Sequence, residues 1–183
     1  VFEKNANCAA LAEFRIGPFS GMQTSLALVL ARFGIGCAFI SAGRLLNAEG
    51  RRGGELGHTV IEMNGRPCIC GQCGCLEAYA GGWALARRLA ESTKSASGAM
   101  EIYRAWIADR SLIADRERAE LAASADYLEI GLRNLVRLLG PERILIQGIF
   151  ECLVEWPKQL AERLSALAGA EVLVSTGGLG EYS

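Results

Sequence analysis

Aspartate is nearly absent from this 183-residue sequence: Asp109, Asp115 and Asp126 are the only three, and the first 108 residues have none. An aspartate base is thereby excluded from that whole stretch. Lysine is as scarce, with Lys4, Lys94 and Lys158 alone, and histidine occurs once, at His58. The net charge of −1 makes no overall electrostatic case for nucleic acid or a membrane surface. No apolar run approaches the ~20 residues of a membrane-spanning helix, and no secretory leader is written in the sequence. Internal repeats and low-complexity tracts are missing as well. What remains is 51% apolar and 21% charged, the balance of a globular chain rather than a disordered one. The length suits one domain or two.

Cysteine runs the other way. Of seven, four crowd together after the lone histidine: His58, then Cys68, Cys70, Cys73 and Cys75. One imidazole with three thiolates is a tetrahedral Zn²⁺ ligand set. Gly71 and Gly74 let one loop fold its sulfurs around a single ion. Four cysteines compete for three places, and spacing does not choose among them. Glu55 and Glu77 bracket the cluster, which suggests a metal that shapes a binding loop. Four protein ligands leave no open coordination position for catalysis. The competing readings are catalytic zinc and disulfide or redox use. Against disulfides, a Cys-x-Cys pair is too close in sequence to bridge easily. Cys8, Cys37 and Cys152 also stand singly in apolar surroundings, as reduced core cysteines do. Structural zinc is the preferred reading, and reduced cysteines without a leader predict a cytoplasmic protein.

Along the chain, good helix formers predict a helix over 5–15 with Asn5 or Asn7 as N-cap, ended by Gly17-Pro18. Apolar runs at 25–30 and 33–41, with a return at 43–47, read as an antiparallel meander of three strands. One long helix is expected from Cys75 to about Glu91, carrying Leu76, Tyr79, Ala80, Trp83, Leu85 and Leu89 at helical spacing. Residues 92–99 read as a loop, and two helices are expected over 100–108 and 115–139. The second carries Leu121, Ala125, Leu128, Leu132, Leu135, Val136 and Leu139 as a buried stripe and is stopped by Gly140-Pro141. A strand at 143–148, an amphipathic helix over 152–168 and a strand at 171–175 complete an α/β layout. Val1-Phe2-Glu3 reads like the tail of a strand already running, so the sequence is expected to be one piece of a longer chain.

These features together resemble the ROK family of repressors and sugar kinases. The resemblance spans nearly the whole chain. It is strongest at Gly54-Glu-Leu-Gly-His58 with Cys68-Ile-Cys-Gly-Gln-Cys-Gly-Cys-Leu-Glu77, and weaker at 5–13 and 140–148. It implies an actin-like ATPase (ribonuclease-H-like) architecture, in which two lobes close over a sugar. Residues 1–183 would be the second, C-terminal lobe, without the N-terminal ATP-binding lobe and the extreme C-terminus. The zinc ligands would be His58, Cys68, Cys70 and Cys75, since Cys73 falls on a variable position of the signature. Glu55, His58 and Glu77 would face a hexose or N-acetylhexosamine. Carboxylates accept pairs of hydrogen bonds from vicinal hydroxyls, and a metal-bound imidazole keeps one nitrogen to donate. The competing reading makes Glu55 and Glu77 solvated carboxylates at helix ends. ATP with Mg²⁺ and a homodimer are further implications.

The sequence departs from that family on the phosphate side. The family's general-base aspartate position holds Asn5, and an amide cannot take up the proton at neutral pH. The family's phosphate loop, Leu-Gly-Thr-Gly-Ile-Gly, reads Ala31-Arg32-Phe33-Gly34-Ile35-Gly36. Gly34 and Gly36 survive, but Arg32 crowds the close approach and Phe33 removes a hydroxyl. An expected Gly-Gly is Gln147-Gly148, and the Asp-x-Gly-Gly-Thr motif of the first lobe is absent. Two parentages compete. One is an ATP-dependent kinase transferring phosphate in line to a primary hydroxyl. The other is the sugar-sensing domain of a transcriptional repressor, which would meet DNA only through an upstream helix-turn-helix. An unrelated zinc-stabilised α/β domain is the remaining alternative. The expectation is a sugar-binding protein derived from a kinase and not itself competent in transfer.

Overall fold

The computed structural model describes residues 5–17, 19–20, 25–46, 53–93, 101, 104–105, 108–109, 115–148, 150 and 155–174. The helix expected over 100–108 falls largely outside these, as do Cys152 and the starts and ends of several expected elements. Helix α1 (Asn5–Ile16) buries Ala6, Asn7, Ala10 and Glu13. Asn7 lies inside its first turn and is buried, so it is not the N-cap; Asn5 is the first helical residue.

Strands β1 (Leu26–Ala31), β2 (Ile35–Ser41) and β3 (Arg44–Leu45) form the expected meander, each antiparallel to the next. Ser41 pairs with Arg44 across a two-residue turn in which Ala42 (φ 48°) and Gly43 (φ 73°) are both left-handed. That conformation matches the right-handed strand twist. Strand β4 (Arg143–Gly148) then lies parallel to β1, and β5 (Glu171–Val174) parallel to β4, giving the order β3-β2-β1-β4-β5. The continuous apolar runs of β1 and β4 reflect burial on both faces.

Alternation along β1 divides the core. Leu26 and Leu28 meet Ala6, Ala10 and Phe19 on the α1 face. Ala27 and Val29 join Ile144, Ile146, Leu128, Leu132 and Leu160 on the other. The latter face is covered by α4 (Asp115–Leu139) and α5 (Trp156–Ala168). The two helices are joined by buried Glu129, which pairs with Arg133 at 2.9 Å and Arg163 at 3.2 Å. The α4 stripe is buried as expected except at Leu139, which is 45% exposed. It is the last helical residue, where Gly140-Pro141 turns the chain away.

The long helix expected from Cys75 to Glu91 is two helices, α2 (Glu77–Ala80) and α3 (Gly82–Thr93). Gly81 between them is extended (φ −70°, ψ 143°). The ladder breaks because the first amides of α3 are taken by another segment. Gly82 N–H donates to Arg32 O at 2.8 Å and Trp83 N–H to Phe33 O at 3.0 Å. The Gly81-Gly82 pair was the signal in the sequence for this break.

Candidate functional site

Residues 59–76 fold on themselves through backbone hydrogen bonds. Ile61 N–H reaches Gly74 O at 2.8 Å, Cys68 N–H reaches Gln72 O at 2.8 Å, and Leu76 N–H reaches Thr59 O at 2.9 Å. At the base, the Arg66 guanidinium lies 4.6 Å from the Tyr79 ring centroid, and Tyr79 stacks in turn on Tyr127 of α4. The loop is thus fixed to the core from below while its sulfurs gather above.

The side chains of His58, Cys68, Cys70 and Cys75 present ligand atoms all within 4.8 Å of one another. His58 Nδ1 is 3.6 Å from Cys68 Sγ, and Cys70 Sγ is 3.6 Å from Cys75 Sγ. Tetrahedral zinc with Zn–S of about 2.3 Å requires sulfurs about 3.8 Å apart, so the donor set and its dimensions fit that ion. Cys73 is exposed and outside the group. Burial, first of all, pushes the Cys75 thiol up to about 12, with Cys70 and Cys68 adding to it. Cys68 is raised too, chiefly by burial, whereas the Gln72 backbone lowers Cys70. A divalent cation would displace these protons, coupling occupancy to pH.

Beside the cluster lies a cavity of about 670 Å³ whose lining includes Asn5, Arg32, Gly34, Gly36, Glu55, His58, Glu77 and Gln147. The folded chain therefore brings together residues drawn from α1, the β1–β2 hairpin, the turn at Leu56–His58 with Glu55 just before it, α2 and β4. Asn5 and Glu55 are exposed, and His58 is half-buried. Its Nδ1 faces the sulfurs, which leaves Nε2 as the free ring nitrogen. Phe33 packs on the cluster of Cys68, Cys75, Tyr79 and Trp83, while Arg32 is exposed at the cavity wall.

Glu77 is not a solvated helix-end carboxylate. Only 4% of it is exposed. Its Oε2 accepts from Ile35 N–H at 2.7 Å and its Oε1 from the indole Nε1–H of Trp83 at 3.0 Å. A Cβ on Gly34 would stand 2.8 Å from Oε2, and one on Gly57 would collide with Ile35 O. Only glycine lets the carboxylate in so close. These two partners of Glu77 had escaped the sequence reading, as had the capping of α3 by Arg32 and Phe33. Cys8, expected in the core, is exposed, because it sits on the outer face of α1; Cys37 is buried in β2.

The mixed sheet with helices on both faces, the cavity at the hairpin and the four-ligand cluster define an α/β fold like that of the actin-like sugar kinases. A family model described as "ROK family" matches residues 1–168, and the chain belongs to the ROK family. A glucokinase of Halalkalibacterium halodurans is 32% identical over 159 residues, covering 81% of this chain and 48% of that protein. A xylose repressor of Caldicellulosiruptor bescii is 29% identical over 155 residues, covering 79% and 38%. The crystal structure of a ROK hexokinase from Thermus thermophilus superposes with a TM-score of 0.74 at 31% identity, covering 94% of this chain and 60% of that one. The chain spans about half the length of the curated glucokinases it matches.

Proposed function

We propose that this chain is the sugar-binding, zinc-braced second lobe of a ROK protein descended from a hexose or N-acetylhexosamine kinase, and that it does not transfer phosphate as it stands. The observation carrying this reading is the meeting of Asn5, Glu55, His58 and Glu77 on one cavity directly beside the His58–Cys68–Cys70–Cys75 cluster. His58, Cys68, Cys70 and Cys75 would hold Zn²⁺, which supplies orientation rather than chemistry. The ring nitrogen left to His58 and the carboxylate of Glu55 would take vicinal hydroxyls, with Glu77 as a third acceptor. Glu77 has lone pairs to spare, since a carboxylate offers about four acceptor sites and two are used. Asn5 would hydrogen-bond the hydroxyl that a kinase deprotonates, without removing its proton. Gly34 and Gly36 would mark the phosphate path, where Arg32 and Phe33 disfavour ATP–Mg²⁺ positioned for transfer.

Titration calorimetry of the zinc-loaded chain with glucose, N-acetylglucosamine and N-acetylmannosamine tests the reading. Saturable binding of one of them, lost in Glu55→Gln, is expected; no binding of any would overturn it. The second reading is the effector domain of a ROK-type repressor, favoured by the amide at Asn5 and the xylose repressor among the relatives. Under that reading DNA binding belongs to a helix-turn-helix elsewhere in the whole protein. In either case the whole protein would be a cytoplasmic homodimer. No helix among the described residues is long and apolar enough to cross a membrane.

A further inference from the structure

The hairpin that forms one wall of the cavity carries none of the four clustered ligands, yet Phe33 at its tip packs on the cluster of Cys68 and Cys75 and its backbone is fastened to the segment that follows Cys75. Cys75 is a member of the cluster, and Glu77 follows two residues later. From there to Trp83, three hydrogen bonds reach the hairpin tip. Ile35 N–H donates to Glu77 Oε2 at 2.7 Å, Gly82 N–H to Arg32 O at 2.8 Å, and Trp83 N–H to Phe33 O at 3.0 Å. A fourth, from Trp83 Nε1–H to Glu77 Oε1, closes the carboxylate between hairpin and helix. Charge-assisted hydrogen bonds in a dry setting are the strong ones. Gly34 and Gly57 approach the carboxylate so closely that a Cβ on either would crowd Oε2.

We propose that Glu77 is a positioning residue through which occupancy of the His58–Cys68–Cys70–Cys75 cluster sets the shape of the 32–36 hairpin. The metal end of the site and its phosphate-facing end are then one mechanical unit in which the Glu77 carboxylate is the side-chain link, beside the backbone bonds of Gly82 and Trp83. Removing the ion releases Cys75, relaxes the start of α2 and withdraws Glu77 from Ile35. The hairpin loses its register against the cavity although no metal ligand lies on it. This rests on the zinc reading above, and the test separates the two.

Amide hydrogen exchange by NMR on the full chain reads the coupling at Ile35, with Ile144 and Ile146 of β4 as internal references. Glu77→Gln offers one oxygen and an amide group to two N–H donors, so one donor must go unpaired. With one zinc per chain retained, this variant is expected to exchange Ile35 about tenfold faster than wild type, while Ile144 and Ile146 hold. Chelation of the wild type is expected to speed Ile35 by a similar factor, and chelation of the variant to add nothing further. That non-additivity is what a merely structural glutamate would not produce. Equal acceleration by chelation in both proteins, or a zinc-loaded variant with wild-type exchange at Ile35, overturns the proposal. If chelation speeds Ile144 and Ile146 as much as Ile35, the ion acts on the whole fold and the proposal of a local link through Glu77 is overturned. Should Glu77→Gln not fold, Trp83→Phe removes only the indole donor. About threefold faster exchange at Ile35, with chelation adding less than it does in wild type, then supports the proposal, and an undiminished effect of chelation overturns it. A wild-type chain that takes up no zinc fails at metal analysis and takes this proposal with it. A zinc-loaded chain with an indifferent Ile35 overturns this proposal alone.

Discussion

Gln147 donates its side-chain amide to Glu13 Oε1 at 2.8 Å, joining residues 134 positions apart. Glu13 is fully buried in α1, and Gln147 stands near the end of β4 where the family resemblance anticipates glycine. The substitution adds a side chain that locks α1, and with it Asn5, onto the sheet. Gln147→Ala is expected to lower stability by about 1 kcal/mol, the loss of one hydrogen bond to a buried carboxylate. Gln147→Glu should cost more, since it sets two carboxyl groups face to face. Urea denaturation of the three proteins checks both magnitude and order.

Metal analysis of freshly purified, reduced protein is expected to find about one zinc per chain. Cys70→Ser and Cys75→Ser should each lose it, and Cys73→Ser should keep it, because Cys73 lies outside the group of four. Chelation should lower the melting temperature of the wild type but not that of Cys75→Ser. Cobalt substitution, followed by its visible thiolate absorption, gives the same ranking independently.

No turnover of ATP with glucose, N-acetylglucosamine or N-acetylmannosamine is expected, by a coupled assay for ADP. Asn5→Asp alone should not restore it, because Arg32 and Phe33 still occupy the hairpin tip with Phe33 packed into the metal-loop cluster. Turnover from that single change would refute the account of the hairpin.

Burial pushes the Cys37 thiol from 9.0 up to about 12. The unfolded chain then releases this proton first as pH rises. The contribution of Cys37 to stability is fully present below about 9 and is lost progressively as pH climbs toward about 12. Cys37→Ser or Cys37→Ala should flatten that alkaline limb in denaturation measured across the window. At pH 8, iodoacetamide on the native zinc-loaded protein should modify exposed Cys8 and Cys73 and spare Cys37, as peptide mass mapping would read.

Ala42 holds a left-handed φ of 48° in the β2–β3 turn, a conformation that costs an L-residue about 1–2 kcal/mol. Ala42→Asn, giving the Asn-Gly dipeptide that such turns favour, is expected to stabilise the chain by about 0.5–1 kcal/mol without altering ligand binding. Thermal melting and calorimetry on the same preparation check both halves.

How much of this was legible in the sequence depended on distance along it. The candidate ligands His58, Cys68, Cys70 and Cys75 come together on one short loop whose turns are written in its glycines, so their clustering was legible, although spacing alone did not set Cys73 apart. The β1–β2–β3 meander is equally local and came out as expected. The Glu77 clamp was hidden because its partner Ile35 is 42 positions away, and no local pattern distinguishes a buried carboxylate from a solvated one. The break at Gly81 was masked by strong helical spacing on either side, although the Gly-Gly pair hinted at it. The second neighbour of β1, the parallel strand β4, could not be read at all, since a parallel partner is chosen by packing rather than by any turn. Cys8 looked like a core residue from its apolar neighbours, but helix periodicity turned it outward.

The parallel pairing of β1 with β4 has a kinetic consequence. Leu26 meets Arg143, so β1 cannot complete its ladder until most of the chain has been made, whereas Cys75 returns to His58 across only 17 positions. Closing the long loop carries the larger entropy cost. At about 5–20 residues per second of synthesis, the meander and cysteine loop stand finished for several seconds before β4 exists. During that interval β1 presents an open and wholly apolar edge, the kind that invites pairing with a stranger. Soluble yield is therefore expected to depend on how soon β4 arrives to cover that edge.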